Sequence, residues 1–281
     1  MPAKNSYQFF DINSAEAMRT QHESIERIRL GFAQNEFILY YQSKVNMKTG
    51  AVIGAEALIR WQHPQQGILA PAAFLPIIEG HLISVALGEW VINNALQQIS
   101  AWQTEGLKIP VSVNVGASQW QSHNFVTNLS EASSPPDVRS DHLQLEILET
   151  SAIDDLDKVS QFMQTCINLG VSFSLDDFGT GYSSLTYLKR LPASELKIDQ
   201  SFVRDMLTDT SDLAIVKAVI GLADIFNRSV IAEGVETAAH GEKLLALHCE
   251  NVQGYGIARP MPANDMPLWV KRWHLKPTWT A

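Results

Sequence analysis

Eight short apolar runs punctuate this chain, and all but the first pair are separated by segments of helical periodicity. That alternation restricts the fold more than any other feature. A parallel crossover needs a dozen or more residues, usually a helix, so strands joined in this way lie side by side in one parallel sheet. The runs are Glu36–Val45, Ala51–Leu58, Ile109–Val115, Leu143–Leu148, the stretch from Val171 to the acid pair Asp176-Asp177, Glu195–Ile198, Ser229–Ala232 and Asn251–Gln253. Met47-Lys48-Thr49-Gly50, between the first two, is too short for a crossover and predicts an antiparallel hairpin. The remaining strands read as buried on both faces. Helices are expected from Ser14 as N-cap to Phe32, twice within Pro71–Trp102, and over Ser118–Leu129, Asp154–Leu169, Tyr182–Arg190, Ser211–Phe226, Ala238–Leu247 and Asn264–Trp273, with Ser130–Asp141 a loop. Eight strands in a chain of this length predict an α/β fold, a (β/α)8 barrel that departs from the standard form in its antiparallel first pair. An open doubly wound sheet is the second arrangement the pattern allows.

Polar residues gather where the strands end. Glu56 closes the second strand and Asn114 the third; Glu146 lies in the fourth, with Glu149 just after it. Lys197 and Asp199 flank the end of the sixth, Glu233 and Glu236 follow the seventh, and Gln253 ends the eighth. The fifth stops at Asp176-Asp177, before Gly179-Thr180-Gly181. Neighbouring strand residues point to opposite sides, so these two acids share one site only where the strand ends and the chain turns. Two carboxylates held that close raise each other's pKa unless a cation lies between them, and hard divalent cations take oxygen ligands. Each residue alone has a structural explanation: a helix cap for Asn114, a solvated helix start for Glu233 and Glu236, a lysine reaching for the surface at Lys197. Together they place charged or amide groups on seven of eight strands at one rim, where apolar strands avoid unpaired charge and where barrels carry their active sites. That set predicts oxygen ligands for one or two Mg2+ or Mn2+ ions.

Composition removes several alternatives. The formal net charge of −9 argues against a surface that grips long nucleic acid, though not against a small anionic substrate neutralised by metal. Two distant cysteines, Cys166 and Cys249, form no C-x-x-C and read as core thiols. The most apolar window, Phe74–Ile92, is broken by Glu79, His81 and Glu89 and does not read as a membrane span. Position 184 is Ser, so no G-x-G-x-x-G follows the acid pair; H-E-x-x-H and G-x-S-x-G are also missing.

Four spaced segments, Ala55-Glu-Ala-Leu-Ile-Arg-Trp61, Asp176-Asp-Phe-Gly-Thr-Gly-Tyr-Ser-Ser-Leu185, Lys197-Ile-Asp199 and Ala232-Glu-Gly-Val-Glu236, resemble the EAL-domain cyclic di-GMP phosphodiesterases of bacteria. The likeness runs from about Phe37 to Pro260. It implies a TIM-like (β/α)8 barrel with an antiparallel first strand, and hydrolysis of cyclic di-GMP to linear pGpG with two Mg2+ or Mn2+ ions, Ca2+ being inhibitory. By motif, Glu56, Asn114, Glu146 and Asp176 would hold one metal, and Asp176, Asp177 and Glu233 the second. Lys197 would position the attacking water. Glu236 and Gln253 would support the second metal and the substrate. Arg60 would grip a phosphate and Gln42 approach a guanine, with Leu58 and Asp199 also facing substrate. Glu149 would anchor the loop after Asp177, which in the family couples the site to a homodimer. Ser43 departs from the family, where Pro often follows the Gln, which bears on how Gln42 is placed.

The resemblance divides the chain into an N-terminal tail and linker helix, residues 1–35, and the barrel, residues 36–281. Asn5-Ser-Tyr-Gln-Phe-Phe-Asp11 is similar to the end of a GGDEF domain, so a cytoplasmic piece of a larger GGDEF-EAL sensor protein is expected, whose parent could be membrane-anchored. The competing function is a catalytically silent cyclic di-GMP receptor. Such proteins lack a metal ligand, the acid pair or the lysine, and none of these is missing here.

Overall fold

The computed structural model describes residues 12–135, 138–153, 155–181 and 185–273. Among these described residues ten strands form one sheet: β1 (Phe37–Asn46), β2 (Val52–His63), β3 (Gly67–Leu69), β4 (Val111–Asn114), β5 (Leu143–Leu148), β6 (Ser172–Phe178), β7 (Glu195–Ile198), β8 (Ser229–Ala232), β9 (Asn251–Val252) and β10 (Met261–Pro262). β4 through β9 run parallel to one another, β2 pairs parallel with β4, and β1 closes the cylinder by pairing antiparallel with both β2 and β9. The closed barrel therefore has eight strands. The short β3 and β10 extend the hairpin outside it, and the sequence pattern did not separate either from its surroundings.

The hairpin expected from the short turn forms over nine residue pairs, with Glu56 opposite Gln42 and Arg60 opposite Ile38. Asn46 builds the turn. Its Oδ1 accepts from the backbone N–H groups of Lys48 and Thr49, at 3.1 and 2.9 Å. β2 runs to His63, so Glu56 sits mid-strand and not at its end.

The strands are not apolar on both faces. Val111, Val113, Leu145, Ile147, Phe173 and Leu196 point outward and are fully buried under the helices. Ser112, Asn114, Gln144, Glu146, Ser174, Asp176 and Lys197 alternate with them and point inward. In a parallel ladder, paired residues share a face, so Asn114, Glu146 and Ser174 line one row across three strands. The hydrophobic core is thus the layer between sheet and helices. Phe173 meets the ring of Phe162 edge-on at 5.9 Å, and Phe162 does the same with Phe125 at 5.2 Å. Side chains of this size stabilise the fold by about 1.5–3 kcal/mol each on burial.

The connecting helices begin at polar caps. Asp155, Asp199, Asp209 and Thr237 each turn a side-chain oxygen onto a backbone N–H of the following first turn. The N-terminal helix spans Ile12–Ala33, so Ser14 lies inside it and does not cap it. Its Ile28 is 1% exposed and packs into the core. The expected loop Ser130–Asp141 is partly helical: one helix continues to Ala132 and a 3-10 turn covers Ser140–His142. The expected Asp154–Leu169 helix forms over Leu156–Ile167, a separate short helix, Glu149–Ile153, precedes it, and the one after β6 starts at Leu185. The GGDEF-like segment, Asp154 and Tyr182–Ser184 lie outside the described residues. Among the described residues no helix is long and apolar enough to cross a membrane.

Candidate active site

The inward polar rows converge on one ammonium. Lys197, on β7, is 1% exposed. Its Nζ lies 2.6 Å from Glu146 Oε2, 2.7 Å from Glu233 Oε1, 2.9 Å from Asp176 Oδ1 and 4.0 Å from Glu56 Oε1. These acids come from β5, the loop after β8, β6 and β2, which only a closed barrel brings together. Glu56 carries the network to the first strand. Its Oε1 accepts from Asn114 Nδ2 at 2.8 Å and its Oε2 from Gln253 Nε2 at 2.5 Å. Gln253 Nε2 also donates to Gln42 Oε1 at 3.0 Å.

The acid pair reaches one site by a backbone irregularity. The β6–β7 register runs Leu175 to Leu196 and then Phe178 to Ile198, so Asp176 and Asp177 together face Lys197. This is a bulge, and Asp177 takes φ +52° within it. Asp is among the few non-glycine residues that enter the left-handed region readily. Both carboxylates then lie on one side: ligand oxygens of Asp176, Asp177 and Glu233 are all within 4.8 Å of one another. Asp177 also faces Asp199, whose Oδ1 accepts from the backbone N–H of Ser201 at 2.9 Å and so starts the helix Gln200–Asp205.

Electrostatics mark a shortage of positive charge. Burial pushes Glu233 up to about 8; Lys197 opposes this, and Asp176, Glu56 and Glu146 add to it. Burial also raises Asp177, to about 7, with Asp176 and Asp199 adding to it and Lys197 opposing. Glu56 is raised as well, first by burial, against the pull of Lys197. Glu146 goes the other way: despite its burial, Lys197 and Lys44 hold it far below the usual carboxylate range. Burial disfavours the charge on Lys197, but the four surrounding acids outweigh it and raise its pKa well above the ordinary value. An all-oxygen donor set that stays short of positive charge suits hard divalent cations.

The other predicted residues stand around this centre. Leu58 and Arg60 follow Glu56 at two-residue spacing on the inner face of β2, both half-buried. Arg60 lies 5.7 Å over the ring of Tyr40 and donates to the Ile59 carbonyl at 2.8 Å. Gln42 is buried, and its Nε2 donates to the Ala258 carbonyl at 2.9 Å; with Oε1 accepting from Gln253, both ends of its amide are engaged. Ser43 is accommodated on the opposite face, its hydroxyl 3.4 Å from Met266 Sδ. Glu149 sits outside the cluster. Its Oε2 accepts from the Gly179 N–H at 2.9 Å and its carbonyl from Tyr187 Oη at 3.0 Å, tying the loop after Asp177 to the end of β5. A Cβ on Gly181 would come within 3.3 Å of Glu149 Oε1, so the loop lies tight against that carboxylate. Glu236 is exposed, and among the described residues no hydrogen bond or ion pair joins it to the cluster.

Three interior residues escaped sequence reasoning: Lys44, Gln144 and Glu195. Each sits two positions before an inward residue or after one (Lys44 after Gln42, Gln144 before Glu146, Glu195 before Lys197), so the two-residue period contained the signal. A cleft of about 660 Å3, lined by Asn46, Lys217, Arg228, Ser229, Glu250 and Asn251 among others, lies at the opposite end of the barrel and holds none of the predicted residues.

The EAL domain family matches residues 25–260. The bifunctional diguanylate cyclase/cyclic di-GMP phosphodiesterase MucR of Pseudomonas aeruginosa is 39% identical over 264 residues, 94% of this chain but 38% of that protein. The cyclic di-GMP phosphodiesterase PA2567 of the same organism is 37% identical over 236 residues, 84% of this chain and 40% of its own length. The chain therefore spans about two fifths of these curated relatives. Among solved structures, the PaMucR phosphodiesterase in complex with c-di-GMP superposes with a TM-score of 0.84 at 40% identity, covering 87% of this chain and 99% of that one. The EAL enzyme Bd1971, in its cAMP- and cyclic-di-GMP-bound form, gives 0.84 at 33% identity over 92% of this chain and 71% of its own.

Proposed function

The chain belongs to the EAL domain family, and on that premise we propose that it is a cyclic di-GMP phosphodiesterase that opens the cyclic dinucleotide to linear pGpG. The observation that carries this reading is the meeting of Glu56, Glu146, Asp176 and Glu233 within 4.0 Å of one buried ammonium, with Asp177 beside them. A protein that merely binds an anionic nucleotide gains nothing from so many acids at its binding site. Acids in that number suit a site that takes cations.

The ligands assigned to Mg2+ or Mn2+ are Glu56, Asn114, Glu146 and Asp176 for one ion, and Asp176, Asp177 and Glu233 for the second. Bound divalent ions supply Lewis-acid charge that acidifies water and offsets charge on the phosphate. The chain's own groups do the rest. Arg60, half-buried at the mouth, is assigned to a phosphate oxygen, where its charge is worth more than in open water. Gln42 takes the guanine edge, Leu58 and Asp199 border the substrate, and Gln253 holds Glu56 in place. Lys197 keeps the carboxylates together and orients the water. That water adds to phosphorus, the bond to the 3′ oxygen breaks, and a proton ends on that oxygen. Glu149 holds the loop after Asp177, and that loop with the helix Leu185–Arg190 is the surface we assign to a homodimer. Glu236 supports the second ion only through rearrangement of its exposed side chain. Ca2+, larger and looser in its geometry, is expected to inhibit. A GGDEF or other sensor domain upstream, and a place in the cytoplasm, complete the proposal.

The test is chromatography of cyclic di-GMP incubated with the protein in Mg2+, Mn2+, Ca2+ and EDTA. We expect pGpG with the first two only. Intact dinucleotide in all four, with binding retained, would favour the silent receptor instead.

A further inference from the structure

Lys44 has no part in the function proposed above, yet it is almost as deeply buried as Lys197, at 4% exposure. It lies on β1 two residues beyond Gln42 and shares its inward face. Its Nζ donates to Glu146 Oε1 at 2.8 Å and to Gln144 Oε1 at 3.3 Å, and lies 3.9 Å from Glu195 Oε1. The other oxygen of Glu146, Oε2, accepts from Lys197 at 2.6 Å. One carboxylate is therefore held from both ends, by a lysine below it in the barrel and a lysine in the metal cluster. The β1–β2 ladder shifts register just after Lys44, from the pair Lys44–Gly54 to Val45–Val52. Bulges re-aim side chains next to functional sites.

A carboxylate gripped by Lys197 alone would have to give up its ion partner whenever a divalent cation engaged it. With Lys44 on Oε1, Glu146 stays anchored while Oε2 is free to change partner. We propose that Lys44 is a positioning residue for Glu146, holding one oxygen toward the barrel floor so that the other is presented to the cation site. This rests on the reading of Glu146 as a metal ligand. Groups that orient a metal's ligands typically alter its affinity about ten- to hundredfold when removed.

The experiment is calorimetric titration of Mn2+ into the metal-free wild type and the variants Lys44→Met, Glu146→Gln and Lys44→Met/Glu146→Gln, with thermal unfolding in EDTA to establish that each is folded. Lys44→Met is expected to weaken Mn2+ binding about ten- to hundredfold, and to weaken it no further once Glu146 is already Gln. Wild-type affinity in Lys44→Met overturns the inference, as does an equal loss in both backgrounds, which would make Lys44 a general stabiliser of the barrel. If Lys44→Met alone does not fold, the double variant against Glu146→Gln decides by the same criterion. Absence of Mn2+ binding in the wild type overturns the proposed function itself and is distinct from either result.

Discussion

Removing the ammonium of Lys197 should unsettle the metal-free protein far more than the metal-loaded one. In Lys197→Met the side chain keeps its length and loses its charge. Three carboxylate oxygens then lack a partner that stood 2.6–2.9 Å away, inside a barrel where the lysine is 1% exposed. Breaking a buried ion pair by deleting one partner costs about 3–5 kcal/mol, because the other charge is left uncompensated. At about 2–4 °C per kcal/mol for a domain of this size, the midpoint in EDTA should fall by roughly 6–20 °C. Part of that loss is recovered if Glu233 or Asp177 takes up a proton, so the gap should be wider at pH 8.5 than at pH 6. A divalent cation can replace the missing charge, so Mn2+ should narrow the difference between variant and wild type. Activity should stay at least about 100-fold down, since the donor assigned to water is gone. Scanning fluorimetry with EDTA and with Mn2+, beside the nucleotide assay, measures all of this. Midpoints within about 2 °C of each other in EDTA would mean that the ammonium is worth less than about 1 kcal/mol, and the charge-balance argument fails.

Other outcomes follow from the same geometry. Asp176→Asn should lose most turnover through weaker metal binding, about 100-fold or more at limiting Mn2+; wild-type turnover would contradict the ligand assignment. The metal-free protein should lose stability as pH rises through 7 to 8. Glu233 and Asp177 are pushed up to about 8 and about 7, so the folded state binds more protons than the unfolded chain above the ordinary carboxylate range. The groups facing them are Lys197, Asp176, Glu56 and Glu146 for Glu233, and Asp176, Asp199 and Lys197 for Asp177, and the more buried Glu233 contributes on the order of a few kcal/mol. Stability rising with pH in EDTA between pH 6 and 8.5 would refute this. Gly254→Ala should cost about 1–3 kcal/mol or more, since a Cβ would collide with the backbone N and O of Val235; an unchanged unfolding midpoint would show that the chain there yields easily. Glu149→Ala should free the N–H of Gly179 and loosen the loop after Asp177, read as faster amide exchange at Gly179; unchanged exchange would remove Glu149 from that role.

Much of the architecture was written locally. A four-residue turn cannot support a crossover, so the antiparallel hairpin followed from Met47–Gly50 alone. Strand and helix alternation led to the parallel barrel, and the polar strand ends named most of the side chains that meet at Lys197. Local pattern also misled where it was coarse. The short strands are buried on both faces, as their setting between helices implies, but the pattern does not show that the inner face is polar and charged. The pattern ends the second strand at Leu58 and so sets Glu56 near a strand end, whereas β2 runs on to His63 and Glu56 lies mid-strand.

What a linear sequence determines is which residues lie on one face of one strand, because the two-residue period is local. It could not decide which faces oppose one another across the barrel. Lys44 and Glu146 stand 102 positions apart and touch only because β1 closes the cylinder. Nor could it decide that Asp176 and Asp177 point the same way, which depends on one bulge and one left-handed residue set by pairing with β7. The charge state of the centre is tertiary too: a carboxylate held down by two lysines and another pushed up toward 8 differ in what closes around them, not in their chemistry.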